Sequence, residues 1–307
     1  MSIIFSSVVG FVSHESATNH LTYAILLAVK LSVIIPTHNR MVLLEQLLNS
    51  LEVQTYSDFE VVVAVDESTD GTLTMLEAIK RRSQMKLEFL VLQQGGQAKA
   101  RNAAIEVATG EILVFADDDL TFAPDVLARH AAFHQVFKNS IAIGAVQYPS
   151  GKTDFPNNPS WLNFTGMNTS LPRQAAIEQA GFDQTFLGYG GEDLEFALRL
   201  EQAGLKIRRL PDTLAIHAGE QIRNPEKAYS AGYQAVKITK KHGNVVAMQL
   251  GVHPSLLLAK RLLLNPIGDV VLKSLSDYAF ERAYLDGARA AWKEDEKVKR
   301  LKGDPAR

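Results

Sequence analysis

The sequence predicts an α/β protein: a doubly wound, mostly parallel sheet with helices on both faces, followed by a helical C-terminal tail. Three observations predict it. Short β-branched runs alternate with helix-period segments between residues 31 and 147. The runs are mostly apolar, as expected of buried strands. Three of them end in polar clusters, THNR, DESTD and DDD. In open α/β sheets ligands lie beyond the carboxyl ends of the strands.

The elements follow in order. Leu31–Ile35 is a buried strand that Pro36 ends. Leu43, Leu44, Leu47, Leu48 and Leu51 fall at helical spacing. Phe59–Val65 is a second strand, and Ser68, Thr69 or Asp70 can cap the helix carrying Leu73, Leu76 and Ile79. KLEFLVL (86–92) is a strand, QAKARNAAIEVA (97–108) a helix closed by Gly110, and EILVFA (111–116) a strand. A helix follows Pro124, then the strand SIAIGAVQ (140–147). Beyond 148 the pattern loosens through Pro149, Pro156 and Pro159. It resumes as a short helix, the turn GFDQTFLGYGG, the helix EDLEFALRLEQA and a strand pair ending at His217. From 225 onward the chain reads as helices, one amphipathic around Tyr229, Tyr233 and Val236, others carrying LLLAKRLLL and VVLKSLSDYAF. The expected divisions are an extension over 1–30, a first half over 31–147, a second over 148–224 and a basic helical tail over 225–307.

The 307 residues are 46% hydrophobic and 21% charged, enough to bury a sizeable core. Cysteine is absent, which excludes disulfides, thiolate metal sites and a catalytic thiol and fits a reducing compartment. Residues 1–220 carry 16 basic and 25 acidic side chains, whereas residues 221–307 carry 16 and 9. An acidic body with a basic tail suggests that the tail meets an anionic surface such as a membrane; the plainer reading is a solvated helical tail. No apolar run reaches the roughly 18 residues of a membrane span. The N-terminus lacks a basic leading region and a clear cleavage site, so no signal peptide is expected.

Asp117, Asp118 and Asp119 follow a buried strand. Adjacent carboxylates repel unless a cation or strong donors offset them, and hard divalent ions take carboxylate oxygens together with substrate phosphates. Asp66 also closes a strand; it can accept from a nucleobase N–H or serve as a turn residue. GYGGEDLEFALRL places Glu192 and Asp193 at a helix start, where the dipole stabilises acids, and its three glycines argue for a close backbone approach. Such a pair can bind an acceptor hydroxyl and take its proton. A lone His217 in LAIHAG is either structural or the completing ligand of an Asp-based metal site. His130 and His134 lie four apart with no acid between them and are expected at the surface. No Walker loop and no Gly-x-Ser-x-Gly elbow is present.

Taken together, SVIIPTHNR, FEVVVAVDESTDGT, AKARNAAIEVATGEILVFADDDL and GMNTSLPRQAAIEQAGFDQTFLGYGGEDLEFALRLEQAG resemble family 2 glycosyltransferases of the GT-A fold, over residues 31–242. The last segment is similar to the acceptor half of galactosyltransferase-like enzymes. Where the family often has Asp-Asp-Gly-Ser, this chain has Val65-Asp66-Glu67-Ser68.

The resemblance implies inverting transfer of a sugar from a nucleotide-diphosphate sugar, a UDP-sugar by the place of Asp66, to an acceptor hydroxyl in glycan or polysaccharide synthesis. It implies Asp193 as catalytic base with Glu192 orienting the acceptor, which is a glycan or a lipid-linked sugar. Pro36, Thr37, Arg40, Asp66 and Arg101 would hold the donor. Asp119 is assigned to a divalent cation, Mn²⁺ or Mg²⁺, with His217, and Asp117 or Asp118 to the ribose or to the groups around the metal's own ligands. The expected location is cytoplasmic, peripheral to the inner face of the membrane, with no nucleic-acid partner. Two rivals remain. A nucleotidyltransferase would want a Gly- and Lys-rich phosphate loop after the first strand, which PTHNR is not. A non-catalytic nucleotide-sugar or glycan-binding module would not need the intact aspartate run and Glu-Asp pair.

Overall fold

The computed structural model describes residues 29–220, 224–263 and 276–301. The proposed 1–30 extension lies almost wholly outside these residues, as do the end of LLLAKRLLL and the start of VVLKSLSDYAF.

The strands are β1 (Leu31–Thr37), β2 (Phe59–Asp66), β3 (Lys86–Leu92), β4 (Ile112–Phe115), β5 (Leu120–Phe122), β6 (Ser140–Gln147), β7 (Thr153–Asp154), β8 (Thr169–Pro172) and β9 (Lys206–His217). They form one sheet in the order β3-β2-β1-β4-β8-β6-β9-β5, with β7 on β6. β3, β2, β1 and β4 are mutually parallel, and β9 is parallel to β6. β8 runs against both β4 and β6, and β5 runs against β9. The carboxyl ends of β1, β2, β4 and β9 therefore share one edge of the sheet.

Successive side chains in a strand point to opposite faces. Val33 and Ile35 of β1 accordingly pack on one face, with Leu44, Leu47, Leu48 and Leu51 of α1 (Met41–Glu52), Leu76 and Ile79 of α2 (Thr72–Arg82) and Val126 and Leu127 of α4 (Val126–Val136). Ile34 packs on the other, with Ala100 and Ala104 of α3 (Gly96–Val107), Ala176 of α5 (Arg173–Glu178), and Phe196 and Leu200 of α6 (Glu192–Gln202). This is the doubly wound arrangement. Pro36 interrupts nothing, because the β4 ladder ends at Ile34↔Phe115 and the missing N–H falls beyond it.

The C-terminal helices are α7 (Pro225–His242), α8 (Asn244–Gln249), α9 (Pro254–Leu263) and α10 (Ser276–Leu301). α7 is no loose appendage: its Ile238 enters the main core, while Ala235 and Val236 pack on Leu285, Ala288 and Ala291 of α10. A Cβ on Gly232 would fall 1.9 Å from the Tyr284 carbonyl oxygen, and one on Gly287 2.0 Å from that of Tyr229, so α7 and α10 touch backbone to backbone.

Several local expectations need correction. The strand pair before His217 is one strand with a bulge: its register to β6 jumps from Arg209 to Leu214, because Pro211 lacks an N–H and Asp212 takes a positive φ. Gly110 does not close α3, which ends at Val107; it sits against the Leu31–Ser32 backbone, where a Cβ would be 2.6 Å away. His130 and His134 are not at the surface but are 0% and 3% exposed. Ser170 Oγ lies 2.7 Å from His130 Nδ1 and 2.8 Å from His134 Nε2, and Asn168 Oδ1 lies 3.0 Å from His130 Nε2. Ser170 on β8 and Asn168 just before it give the imidazoles polar partners inside without an acid, and His134 Nδ1 alone is left unpaired.

Candidate functional site

The turn Asp117–Asp119 leaves β4 and enters β5 beside the end of β9. Leu120 pairs with His217 across the ladder, and Ala218 N–H donates to the Asp119 carbonyl at 2.9 Å. Backbone pairing thus fixes the two residues side by side. His217 Nε2 lies 3.5 Å from Asp119 Oδ1, and that oxygen is buried without a hydrogen-bond partner. Nδ1 of His217 lies 2.8 Å from the Gly219 carbonyl oxygen. Gly219 N–H also points at Nδ1, at 3.0 Å, so the proton on Nδ1 frees the Nε2 lone pair for a metal, whereas the proton on Nε2 turns that N–H toward the carboxylate. The ring also packs on Tyr148, 5.3 Å between centroids.

The other two aspartates answer to different cations. Asp118 accepts from Thr37 Oγ1 at 2.8 Å and from Arg40 Nη1 at 3.0 Å, and the same nitrogen donates to Asp119 Oδ2 at 2.8 Å. Burial raises Asp118 above the usual carboxylate range despite these donors. Burial would lower Arg40, but its pairs with Asp118 and Asp119 outweigh this and raise it. Asp117 accepts from Gln97 Nε2 and Arg101 Nη2, both at 2.9 Å. Burial, joined by repulsion from Asp193 and Asp119, pushes it up to about 6 against the pull of Arg101.

Arg101 is 1% exposed and lies between the two halves of the site. Its Nη1 donates to Asp193 Oδ1 at 2.7 Å while Nη2 holds Asp117, and Phe182 lies under the guanidinium at 5.3 Å. Gly166 makes room for it: a Cβ there would fall 1.8 Å from Nη2. Gly166 N–H donates to Asp193 Oδ2 at 3.1 Å, so both oxygens of Asp193 are held. The guanidinium expected on the nucleotide is thus engaged between carboxylates. Glu192, beside it at the start of α6, is 8% exposed with Oε2 unpartnered. Burial and repulsion from Asp193 push its carboxyl up to about 7.

On the β2 side, Asp66 accepts from Gly95 N–H and Gly96 N–H, both at 2.9 Å, closing the start of α3. Each carboxylate oxygen keeps a second lone pair. Nδ1 of His38 bonds the Asp66 carbonyl, and Asn39 links the two loops through Ser68 Oγ at 2.9 Å and Thr69 N–H at 2.7 Å. None of the three cap candidates is the N-cap of α2, which is Gly71; Asp70, just before it, accepts from the Thr72 hydroxyl at 2.5 Å and from Met41 N–H at 2.8 Å. Pro36 is buried at the end of β1. The sequence reading did not single out Asn39, Gln97, Tyr148 or Gly166. The only signal for Gly166 was its place in the GMNTS segment, since contacts made across 20 to 70 residues leave no local pattern.

Among the described residues no three His, Asp or Glu side chains gather closely enough to hold a metal ion alone. Asp119 Oδ1, which has no hydrogen-bond partner, and His217 Nε2 are two atoms of a chemistry that could hold one. A hard cation here would draw its remaining ligands from phosphate oxygens and water.

The model of glycosyl transferase family 2 matches residues 32–191. The chain belongs to that family. Among curated relatives, validoxylamine A glucosyltransferase of Streptomyces hygroscopicus subsp. jinggangensis is 27% identical over 260 residues, covering 70% of this chain and 62% of its own. The matched stretch spans about three fifths of the length of this and two similar relatives and about a fifth to a third of several others. Among solved structures, S. aureus TarS 1-349 in complex with UDP-GlcNAc is similar with a TM-score of 0.57 at 21% identity, covering 91% of this chain and 93% of that one. A mannosyltransferase from Pyrobaculum calidifontis in complex with GDP-Man and Mn²⁺ gives 0.61 at 20% identity, covering 88% and 93%. Both likenesses speak to the fold, which is that of the GT-A members of the family.

Proposed function

We propose that this family 2 member transfers a sugar, with inversion, from a nucleotide-diphosphate sugar to an acceptor hydroxyl. One observation carries the reading. The buried Arg101 holds Asp117, from the aspartate run, and Asp193, from the Gly-rich acidic pair, on a single guanidinium. The donor-end and acceptor-end carboxylates are thereby set around one space, as an in-line displacement requires.

On this reading Thr37, Arg40 and Asp118 lie where the diphosphate and ribose would approach, and the free lone pairs of Asp66 face a base N–H. The relatives complexed with UDP-GlcNAc and GDP-Man agree with a nucleotide-sugar donor; the place of Asp66 favours UDP. A Mn²⁺ or Mg²⁺ ion held by Asp119 and His217 would neutralise the charge that grows on the leaving diphosphate. Asp193 takes the proton of the attacking hydroxyl, while Arg101 and Gly166 N–H keep its carboxylate in place. Glu192, adjacent and buried, orients the acceptor. The acceptor is a glycan or a lipid-linked sugar. The protein works in the cytoplasm, with its C-terminal helices against the inner face of the membrane.

A panel of nucleotide-sugars with and without chelator tests the donor class: metal-dependent turnover of a UDP-sugar is expected, and preference for GDP or CMP donors would overturn the base assignment. Asp193→Asn should lower turnover by about 10²–10⁴-fold, the scale of a lost general base, with UDP affinity by calorimetry unchanged. Near-normal turnover would transfer the role to Glu192. Absence of any donor turnover in the wild type would favour a binding module.

A further inference from the structure

We propose that α7 is the positioning element of the acceptor loop, with Ser230, Gln234, Lys237 and Lys241 as a clamp along residues 183–191. The four side chains recur at i, i+4, i+7 and i+11 and so lie on one face of the helix. Each meets the loop two residues further back than the one before. Ser230 Oγ accepts from Tyr189 N–H at 2.9 Å and donates to its carbonyl at 3.0 Å. Gln234 donates to the Leu187 carbonyl, and Lys237 to that of Thr185. Lys241 pairs with Asp183 at 2.5 Å and reaches Glu195 of α6 at 2.9 Å.

The loop is shaped to lie on this face. Gly188 and Gly191 have φ of +101° and +110°, conformations that side chains rarely adopt. A Cβ on Gly188 would fall 3.0 Å from Ser230 Oγ, and one on Gly191 2.7 Å from Gln234 Cβ. The close approach demanded by these two glycines is therefore to α7. Phe186 is buried under the ammonium groups of Lys237 and Lys241, 4.5 and 5.7 Å from the ring centre. α10 fixes α7 in turn through the Gly232 and Gly287 backbone contacts. The clamped loop runs directly into Glu192 and Asp193. The C-terminal helices thus set where the acceptor-side carboxylates stand, although α7 lies outside the matched family segment.

The proposal rests on assigning Gly188–Asp193 to the acceptor side, and the test keeps the two apart. Lys237→Met removes the bond to Thr185 yet keeps an apolar stem on Phe186; Gln234→Leu removes the bond to Leu187; Lys237→Arg restores a donor. Hydrogen exchange of amides 185–191 is measured in all three and in the wild type, with UDP affinity in Mn²⁺ by calorimetry and hydrolysis of UDP-glucose and UDP-N-acetylglucosamine. In Lys237→Met and Gln234→Leu, loop amides should exchange about 10-fold faster and hydrolysis kcat should fall about 10-fold. UDP affinity should stay within about 2-fold, and Lys237→Arg should recover both losses. Each lost bond is of that order, since one net hydrogen bond is about a factor of 10. Unchanged exchange over 185–191, or UDP affinity falling in step with kcat, overturns the clamp. A wild type that hydrolyses neither donor would count against the functional reading, and the exchange data would still decide the clamp.

Discussion

Asp119 presents its two oxygens to different partners. Oδ2 is held by Arg40, while Oδ1 faces His217 Nε2 at 3.5 Å with no donor of its own. A buried acceptor left in this way is costly unless a cation completes it. Asp119→Ala should therefore abolish turnover and metal-dependent UDP binding together. His217→Ala should weaken Mn²⁺ affinity by about 10–100-fold, the scale of a disturbed metal shell, as read by Mn²⁺ titration. An unchanged Mn²⁺ curve would make His217 a packing partner of Tyr148 only. Glu192 offers a separate test. Its folded pKa stands at about 7, above the ordinary value, so the folded state holds this proton more tightly. The resulting stabilisation is complete below the unfolded pKa and is lost as pH rises to about 7. Glu192→Gln mimics the protonated form. By urea unfolding it should match the wild type at pH 4 and exceed it at pH 8 by roughly 1–3 kcal/mol.

At the scale of elements, α4 carries the largest departure from expectation. His130 and His134 occupy its core face, hydrogen-bonded to β8, and burial holds them down to about 4 and about 3. Both are neutral in the folded protein at pH 7. The unfolded chain takes up these protons below about 6.5, so stability is intact above that value and falls as the pH drops towards the folded pKa values. The histidines' contribution to the unfolding free energy should be roughly 3–4 kcal/mol lower at pH 5 than at pH 7, offset in the total by the raised Glu192 and Asp117, and in urea titrations His134→Gln should gain about 2 kcal/mol relative to the wild type over that interval. A parallel pH profile in the variant would place the acid lability elsewhere. α7 shows the same limit of pattern reading. Its amphipathic spacing was legible from Tyr229, Tyr233 and Val236, but Tyr229 is exposed and the polar Gln234 is buried. What distinguishes the polar stripe is a loop 40 to 60 residues earlier.

Over the whole molecule, charge is divided along the chain, acidic over residues 1–220 and basic over 221–307. Among the described residues no helix is long and apolar enough to cross a membrane. Val245, Met248 and Leu258 on α8 and α9 are nevertheless exposed at 75%, 50% and 60%. Apolar side chains beside lysines suit a peripheral contact with anionic lipid. Flotation with anionic liposomes should carry the full chain at low salt and release it as salt screens the attraction. A chain that stays in the soluble fraction at low salt would make these helices purely a scaffold for α7.

The sequence alone determined the strand–helix alternation, the sheet edge where Thr37, Asp66 and Asp117–Asp119 gather, and the pairing of Glu192 with Asp193 at a helix start. These follow from local periodicity and from residue types whose chemistry is expressed within a few positions. Only the tertiary structure decided that Arg101 bridges Asp117 and Asp193, that two histidines without an acid lie in the core, and that the glycines of GYGG make room for a helix 40 residues onward. Each depends on which elements pack against one another. That is set by strand order and packing, and a chain carries no local signal for the neighbour that folding will bring to it.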